Sequence, residues 1–214
     1  MGRPPSETME PLQKPWKRWS PLAWLSVALI SIILISLLIP AIVGARERAN
    51  RIHCMSRFRQ IGLAVKQYST DHGKLYPESG LPTVSSNFRL LSNLLGNVGL
   101  LFVCPSDKSK IVTEQASELT DENVSYCYVR GLNDDAPIDM PLSFDRGFGI
   151  KTGCPLGDYN AKTWQSSSPH GVEGGNVLFC GLHVVWRKGL NEPDAVGWRG
   201  INLKALTNQV LVPE

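Results

Sequence analysis

The chain has 214 residues, of which 43% are hydrophobic and 19% are charged, and its formal net charge is +3. Domains most often take roughly 100–150 residues, so this length holds one sizeable domain and an anchor but not two full cores. The composition excludes an acidic disordered chain and a strongly basic protein that binds nucleic acid, and the charge alone names no partner.

The first predicted element is an apolar helix near the N-terminus. No charged residue lies between Arg18 and Arg46, and three serines are the only polar residues in the stretch 21–43. At ~1.5 Å per residue such a helix is roughly 35 Å long, enough to cross a hydrocarbon core of about 30 Å. A cleavable signal has an apolar region of about 7–15 residues, and a core helix seldom lacks polar positions. The stretch therefore predicts one retained transmembrane helix, with the lipid bilayer as its partner.

The flanks of this span do not decide its orientation. Tryptophans at positions 16, 19 and 24 cluster at its N-terminal edge, where aromatic rings favour the headgroup layer. Basic residues crowd both the segment 1–20 and the residues after 43, so the positive-inside rule does not distinguish the two sides.

A second helical pattern follows the span over residues 44–73. Apolar residues recur at helical spacing and predict a face that packs on the domain: Ile52, Phe58, Ile61, Val65 and Tyr68. Gly73 predicts the end of this helix, because glycine tolerates the left-handed conformation that commonly closes one. Pro40 lies inside the long helix and predicts a bend or a loosened hydrogen bond, which membranes tolerate.

After residue 77 the pattern changes to short apolar runs between Gly, Pro, Asn and Asp, which predicts strands and loops at 99–103, 124–129 and 177–186. The run 176–186 predicts a β-hairpin whose tight turn uses Gly181. Residues 108–160 predict long loops with few strands. We expect a domain over residues 74–190 and a separate C-terminal segment at 191–214.

Several blocks in order carry a family resemblance. They lie at residues 37–41, 45–49, 60–68, 102–107, 125–126 and 176–179, and the family-motif positions are Cys54, Cys104, His170, Gly181 and His183. The chain resembles the pilin-like, type II secretion pseudopilin-like family (DUF1559-like, planctomycete-type), which has a C-terminal H-X9-DG processing-associated segment. The resemblance covers about residues 21–186.

The resemblance implies an α+β fold, in which a long helix with a membrane-spanning first half packs on a small antiparallel sheet with long loops. It implies a single-pass protein of the bacterial inner membrane, with a cytoplasmic N-terminus and the domain outside. The expected role is structural or associated with secretion and assembly, without catalysis, and the expected partners are pilin-like or secretion-system envelope proteins. An anchored extracytoplasmic module that binds a glycan or an envelope protein through residues 108–160 is an alternative.

The prepilin processing site of the family is degenerate here. Its cleavage glycine falls on Arg18, the first mature residue falls on Trp19, and its assembly glutamate falls on Ala23. Standard cleavage and filament assembly are therefore not expected. In the hairpin, the Asp-Gly of the family falls on Gly181-Leu182, and glycine in the first central position favours a type II′ turn.

The five cysteines form no CxxC pair, which excludes a clustered zinc ribbon or a thioredoxin motif. An extracytoplasmic domain, as the resemblance implies, allows disulfides, and Cys104 with Cys127 and Cys154 with Cys180 are the candidate pairs. The odd count leaves at least one cysteine unpaired or intermolecular.

The sequence contains only weak motifs for catalysis or metal binding. Cys180 and His183, with His170 upstream, suggest a zinc site, but residues three apart on a strand point to opposite faces unless the turn intervenes. The Gly-x-Ser-x-Gly, HExxH and P-loop patterns are absent. We therefore predict no catalytic, cofactor-binding or metal-binding residues and no small-molecule substrate, with an anchored thiol- or metal-dependent enzyme as the weakest alternative.

Overall fold

The structure is a computed structural model that describes residues 20–148, 152–153, 164–188 and 210–213. Within these residues it has one long helix, one short α-helix and a five-stranded antiparallel sheet, which confirms the predicted α+β arrangement. The chain divides into two compact units between Gly44 and Ala45. The predicted segment 1–20 lies outside the described residues except for Ser20, and so does most of the predicted segment 191–214.

Helix α1 is Pro21–Asp71, and its first turn is capped by Ser20. The carbonyl and hydroxyl oxygens of Ser20 accept hydrogen bonds from the backbone N–H of Ala23 at 2.9 and 3.4 Å. Proline suits the first helical position because its φ is already helical and its missing N–H is not needed there. The helix is not interrupted at Pro40.

In the first unit, the apolar side chains of α1 are not buried by the residues that the structure describes. Leu22, Ile33 and Val43 are 77%, 52% and 64% exposed. In the part of the chain that the structure describes, α1 is the one helix long and apolar enough to cross a membrane. These properties support a membrane-anchored form.

In the second unit, α1 buries one face in the domain core. Cys54, Phe58, Ile61 and Val65 are almost fully buried, and their steps of four, three and four residues keep them on one side of the helix. The predicted contacts of Phe58, Ile61 and Val65 are therefore confirmed, and Tyr68 packs at the edge of the core.

The predicted core position of Ile52 is wrong, because that side chain is 66% exposed. Six residues at about 100° each turn Ile52 roughly 120° away from Phe58, off the buried face. The helix ends as predicted: across Gly73, whose φ is +62°, the N–H of Lys74 donates to the carbonyl of Ser69 at 2.7 Å. This is the hydrogen bond of a Schellman cap.

The sheet lies under this buried face. Its strands are β1 Tyr126–Val129, β2 Pro141–Asp145, β3 Gly175–Phe179, β4 Val184–Arg187 and β5 Val210–Leu211. They lie in the order β4-β3-β2-β1-β5, and all neighbours are antiparallel. The ring of Phe58 packs on Tyr126 of β1 with centroids 4.2 Å apart, so the helix and the sheet share one core.

Four short helical segments lie between α1 and β1, and two of them are the 3₁₀ helices Ala116–Glu118 and Asp121–Asn123. Helix α2 is Val84–Arg89, and Gly99–Phe102 forms a 3₁₀ helix where the apolar run 99–103 predicted a strand or loop. The 3₁₀ turn brings Phe102 onto Phe88, with ring centroids 5.0 Å apart, which explains why Phe102 is buried without joining the sheet.

The predicted hairpin is present as β3 and β4, but the type II′ turn is wrong. The positive φ of +63° is at Leu182, and the N–H of Leu182 donates to the carbonyl of Phe179 at 2.9 Å. This pattern is a three-residue loop that ends in a left-handed residue. Gly181 instead permits a close approach: its N–H donates to the Ile138 carbonyl at 2.8 Å, and a Cβ there would lie 3.0 Å from Ile138.

Candidate functional site

Four segments of the second unit meet in a buried polar cluster. Its members are Cys54 on α1, Cys104 after the first 3₁₀ helix, Asp145 at the end of β2, and His170 before the 3₁₀ helix Gly171–Glu173. All four residues are buried, and their sulfur, nitrogen and oxygen donor atoms lie within 4.8 Å of one another. We refer to these four residues as the cysteine–histidine–aspartate cluster.

Cys54 enters the cluster from the apolar face of α1. It lies one turn before Phe58, so the packing of that ring on the sheet also determines where the thiol lies. The thiol donates a hydrogen bond to Oδ1 of Asp145 at 3.3 Å, and its sulfur lies 3.7 Å from the hydroxyl of Tyr126.

Cys104 is held by a turn. The backbone N–H of Asp107 donates to the Cys104 carbonyl at 2.9 Å, and Pro105 takes the second position of the turn, which its fixed φ favours. The side chain of Asp107 is paired with Arg146 at 2.6 Å, which ties the turn to the residue that follows β2. The sulfur of Cys104 then lies 3.4 Å from Nε2 of His170.

Asp145 is a fully buried carboxylate at the centre of the sheet. Its Oδ2 accepts hydrogen bonds from the backbone N–H of Asn176 at 2.6 Å and from the amide of the same residue at 3.2 Å. The same oxygen lies 3.8 Å from Nε2 of His170. Burial raises the pKa of Asp145 to about 7, because the charged form loses its hydration.

His170 is oriented by a carboxylate on α1. Its Nδ1 lies 2.7 Å from Oε1 of Glu47, and the hydroxyl of Ser106 donates to the other oxygen of Glu47 at 2.9 Å. A carboxylate accepts hydrogen bonds, so Nδ1 carries a proton and Nε2 faces the cluster. The ring of Trp186 packs edge-on against His170, with centroids 5.2 Å apart.

The loop that carries His170 comes close to the end of β2 because of Gly147. This residue has φ of +86°, and a Cβ there would lie 2.5 Å from the backbone nitrogen of Ser168. The carbonyl of Gly147 accepts a hydrogen bond from the N–H of Gln165 at 2.9 Å. A glycine is therefore needed for His170 to approach Asp145.

The surroundings of the two thiols in the cluster shift their pKa values in opposite directions. The neighbouring side chain of Cys54 and contact with His170 lower the pKa of Cys104 to about 6 against the opposing effect of burial. Burial and the neighbouring Cys104 raise the pKa of Cys54 well above its ordinary value. Burial alone would lower the pKa of His170, but Cys104 and Asp145 raise it to about 9. The cluster thus concentrates anionic character around one imidazole.

Three kinds of chemistry suit this donor set. Two neighbouring thiols can form a disulfide, a thiolate beside an imidazole can act as a nucleophile, and the four donors can bind a metal ion. Cys54 and Cys104 are 0% and 1% exposed, so a substrate has no direct access to either sulfur.

One family model matches the chain. It covers residues 44–92 and is described as "Protein of unknown function (DUF1559)". Over this segment the chain is similar to the DUF1559 family. The matched residues contain Glu47 and Cys54, and they precede the other three members of the cluster. The match supports the DUF1559-like part of the resemblance. No curated protein and no solved structure matches the chain.

The structure brings together three of the five family positions singled out in the sequence, namely Cys54, Cys104 and His170. The other two, Gly181 and His183, lie in the β3–β4 hairpin outside the cluster. The ring of His183 stacks on Phe179 with centroids 4.5 Å apart, and its Nε2 lies 3.7 Å from Asp139. The zinc site that sequence spacing suggested, from Cys180, His183 and His170, is therefore not the cluster seen in the structure.

The candidate disulfide between Cys104 and Cys127 is not formed in the structure, where both residues are free thiols. Cys127 lies opposite Phe144 in the β1–β2 ladder, and burial raises the pKa of its thiol. Cys180 is also a free thiol, and its proposed partner Cys154 lies outside the described residues.

Of the degenerate processing site, Arg18 and Trp19 lie outside the described residues, and Ala23 lies in the first turn of α1.

Sequence reasoning missed Asp145 and Glu47 as members of the site. The signal for Asp145 was a single acid at the end of the apolar run Pro141–Asp145, where a charge opposes burial unless it has partners. Glu47 was one acid among arginines just after the span, which is also typical of a solvated helix face.

Proposed function

We propose that this protein is a membrane-anchored, pilin-like envelope protein with a structural or secretion- and assembly-associated role, and that it acts through protein contacts without catalysis. One observation carries the proposal. A single helix, α1, contains an apolar stretch with no buried side chain and then a face that is buried in a folded domain. The matched family segment begins at Gly44, where the exposed apolar stretch ends.

The proposal places the span in the bacterial inner membrane, with the N-terminus in the cytoplasm and the second unit outside. The resemblance to pilin-like proteins supports this orientation, since the flanking charges do not distinguish the two sides. The proposed partners are the lipid bilayer and other pilin-like or secretion-system envelope proteins, and neither a nucleic acid nor a small-molecule substrate is proposed.

Protease protection tests the orientation. Lys108 is exposed on the turn that follows Cys104, and it offers trypsin a cleavage site in the second unit. In intact spheroplasts that express the full chain, we expect cleavage at this site without lysis. A Lys108→Gln variant identifies the fragment that comes from this site. Protection in intact spheroplasts, with cleavage only after lysis, would show that the domain is cytoplasmic.

The proposal also implies a permanent anchor. Arg18 replaces the cleavage glycine and Ala23 replaces the glutamate that the family uses during assembly. We expect the mass of the native chain to include the residues before Trp19 when it is co-expressed with a prepilin peptidase. The Arg18→Gly variant should restore cleavage, and Ala23→Glu alone should not, since it leaves the arginine in place. A methylated start at Trp19 in the unmodified chain would overturn the permanent anchor.

Contacts with other proteins are tested by photo-crosslinking in native membranes. Ile111 and Val112 are exposed apolar residues of the second unit, 65% and 51% accessible. A photoreactive amino acid at either position should give a discrete adduct with an envelope protein. Labelling at exposed Leu63, on a different part of the domain, is the matched control. Adducts at neither position would contradict a role in protein assembly.

A further inference from the structure

We propose that Cys54, Cys104, Asp145 and His170 bind one Zn²⁺ ion in a closed tetrahedral site. This site joins α1 to the sheet and does not depend on the proposed role in the envelope. The proposal rests on the spacing of the donors, their chemistry, the groups that orient them and the way that charge is balanced in the interior.

The spacing of the donors fits a tetrahedron around zinc. With Zn–S bonds of about 2.3 Å and Zn–N or Zn–O bonds of about 2.0 Å, unlike donors in tetrahedral coordination lie about 3.5 Å apart. The sulfur of Cys104 lies 3.4 Å from Nε2 of His170, and the sulfur of Cys54 lies 3.3 Å from Oδ1 of Asp145. An N and an O ligand would lie about 3.3 Å apart in the same geometry, and Nε2 of His170 lies 3.8 Å from Oδ2, the second carboxylate oxygen of Asp145. One donor atom from each of the four residues lies within 4.8 Å of the others, so small side-chain shifts bring the set to zinc distances.

The types of donor select the metal. Two thiolates and an imidazole favour zinc over calcium or magnesium, which prefer oxygen ligands and higher coordination numbers. The four ligands come from the protein and all are buried, which is the pattern of a structural zinc site, whereas catalytic zinc sites keep one position open for water.

The groups behind the ligands are arranged as in zinc proteins. A histidine that binds zinc usually donates its second ring N–H to a carboxylate, which fixes the tautomer and the ring orientation. Glu47 takes this place at Nδ1 of His170, and Ser106 orients Glu47 in turn. Asn176 holds Asp145 through its backbone N–H, 2.6 Å from Oδ2.

The balance of charge favours a cation over a disulfide between the two cysteines. Among the described residues, the hydrogen-bond donor to Oδ1 of Asp145 is the thiol of Cys54. A disulfide would remove that donor and leave the oxygen of a fully buried carboxylate unsatisfied, which is costly. A divalent cation replaces the thiol proton and offsets two of the three negative charges that the carboxylate and the two thiolates carry.

The ion would connect elements that are far apart in the chain. Cys54 belongs to α1 and Asp145 belongs to the central strand β2, whereas Cys104 lies between α1 and β1 and His170 lies between β2 and β3. A metal that binds the folded state but not the unfolded chain stabilises the folded state by mass action. Zinc therefore supplies a cross-link between helix and sheet without a covalent bond.

Metal analysis of the full chain tests the proposal. The protein is purified in detergent without chelators and its zinc is measured by mass spectrometry, with an expected content of about one ion per chain. The reduced, chelator-treated chain is then titrated with Zn²⁺ or Co²⁺ alone. Co²⁺ should give the intense visible bands of a tetrahedral site and the near-ultraviolet bands of cobalt–thiolate bonds.

Matched variants assign the ligands. Cys104→Ser and His170→Gln should abolish stoichiometric binding, whereas Cys127→Ser and His183→Gln, which change the same residue types outside the cluster, should retain it. Glu47→Gln should keep one site but weaken its affinity by about 10- to 100-fold, as expected for a group that orients a ligand.

Two of the results that would overturn the proposal come from the unmodified chain, so that misfolding of a variant does not obscure them. One is a zinc content near zero both after purification and after titration of the reduced protein. The other is a Cys54–Cys104 disulfide in protein isolated from its membrane under alkylating conditions, together with no bound zinc. Retention of one ion by both Cys104→Ser and His170→Gln would equally reject these ligands.

Discussion

The two parts of helix α1 contain similar apolar residues but place them in opposite environments. Between residues 21 and 43 the apolar side chains cover the whole circumference, and none of them is buried by protein. Between Cys54 and Val65 most of them form one stripe, and this stripe is buried on the sheet. The number of apolar residues alone therefore does not show whether a helix is surrounded by lipid or packs on a domain. The distribution of these residues around the helix axis does.

The second part shows what limits the stripe. Leu63, next to buried Ile61 and Ala64, is 59% exposed, and Ile52 is 66% exposed. A domain covers only the side of a helix that faces it, and a bilayer surrounds the helix completely. Charged substitutions and truncations should consequently have different effects in the two parts.

The largest expected effect follows from charges in the first part. Ile30→Asp combined with Ile33→Asp puts two carboxylates at the middle of the span, at about 3 kcal/mol each. We expect the full chain to leave the membrane pellet in alkaline carbonate extraction. Ile52→Asp, the same change at an exposed position farther along α1, should leave the protein in the pellet. Membrane retention of the double variant would contradict a transmembrane role for residues 21–43.

A large effect on folding is expected in the second part. Phe58 is fully buried and packs on Tyr126, so Phe58→Ala should lower the free energy of unfolding of the domain by about 3–5 kcal/mol. Chemical unfolding of the full chain in detergent, followed by near-ultraviolet circular dichroism, measures the change. Leu63→Ala on the exposed side should change it by less than about 0.5 kcal/mol. Equal effects of the two variants would mean that the buried stripe is wrongly placed.

Much of the fold was predictable because its signals are local. The span follows from composition, the buried face of α1 follows from the spacing of Phe58, Ile61 and Val65, and the hairpin follows from two apolar runs around Gly181. Strand β2 had a weaker signal. It begins with Pro141, and its apolar and polar residues alternate over only four positions, Leu142 to Asp145. The polar positions are buried as well, so this alternation does not distinguish a solvent-facing side.

The site was predictable only in part. The resemblance singled out Cys54, Cys104 and His170 as separate positions, but nothing in their sequence spacing predicts that they meet. Their convergence depends on the turn after Cys104 and on the close approach at Gly147, and both are tertiary features. Cys180 and His183 show the opposite case. They are close in sequence and suggested a metal-binding pair, but neither belongs to the cluster.

The smallest expected effect on the free energy of unfolding comes from replacing one of two glycines on α1. Replacing glycine with alanine inside a helix gains up to about 1 kcal/mol of helix propensity. At Gly44 a Cβ meets nothing within 4 Å, whereas at Gly62 it would lie 3.1 Å from a methyl group of Leu178 and 3.2 Å from one of Leu182.

Overpacking of a core typically costs about 1–3 kcal/mol, so the penalty at Gly62 outweighs the gain in propensity even though the leucine methyl groups can move. We expect Gly62→Ala to lower the free energy of unfolding of the domain by about 1 kcal/mol and Gly44→Ala not to lower it. The same unfolding measurement compares the two. A gain in stability for Gly62→Ala would mean that the hairpin leaves more space beside α1 than the structure gives, and that α1 contacts the sheet mainly through Phe58 and Ile61.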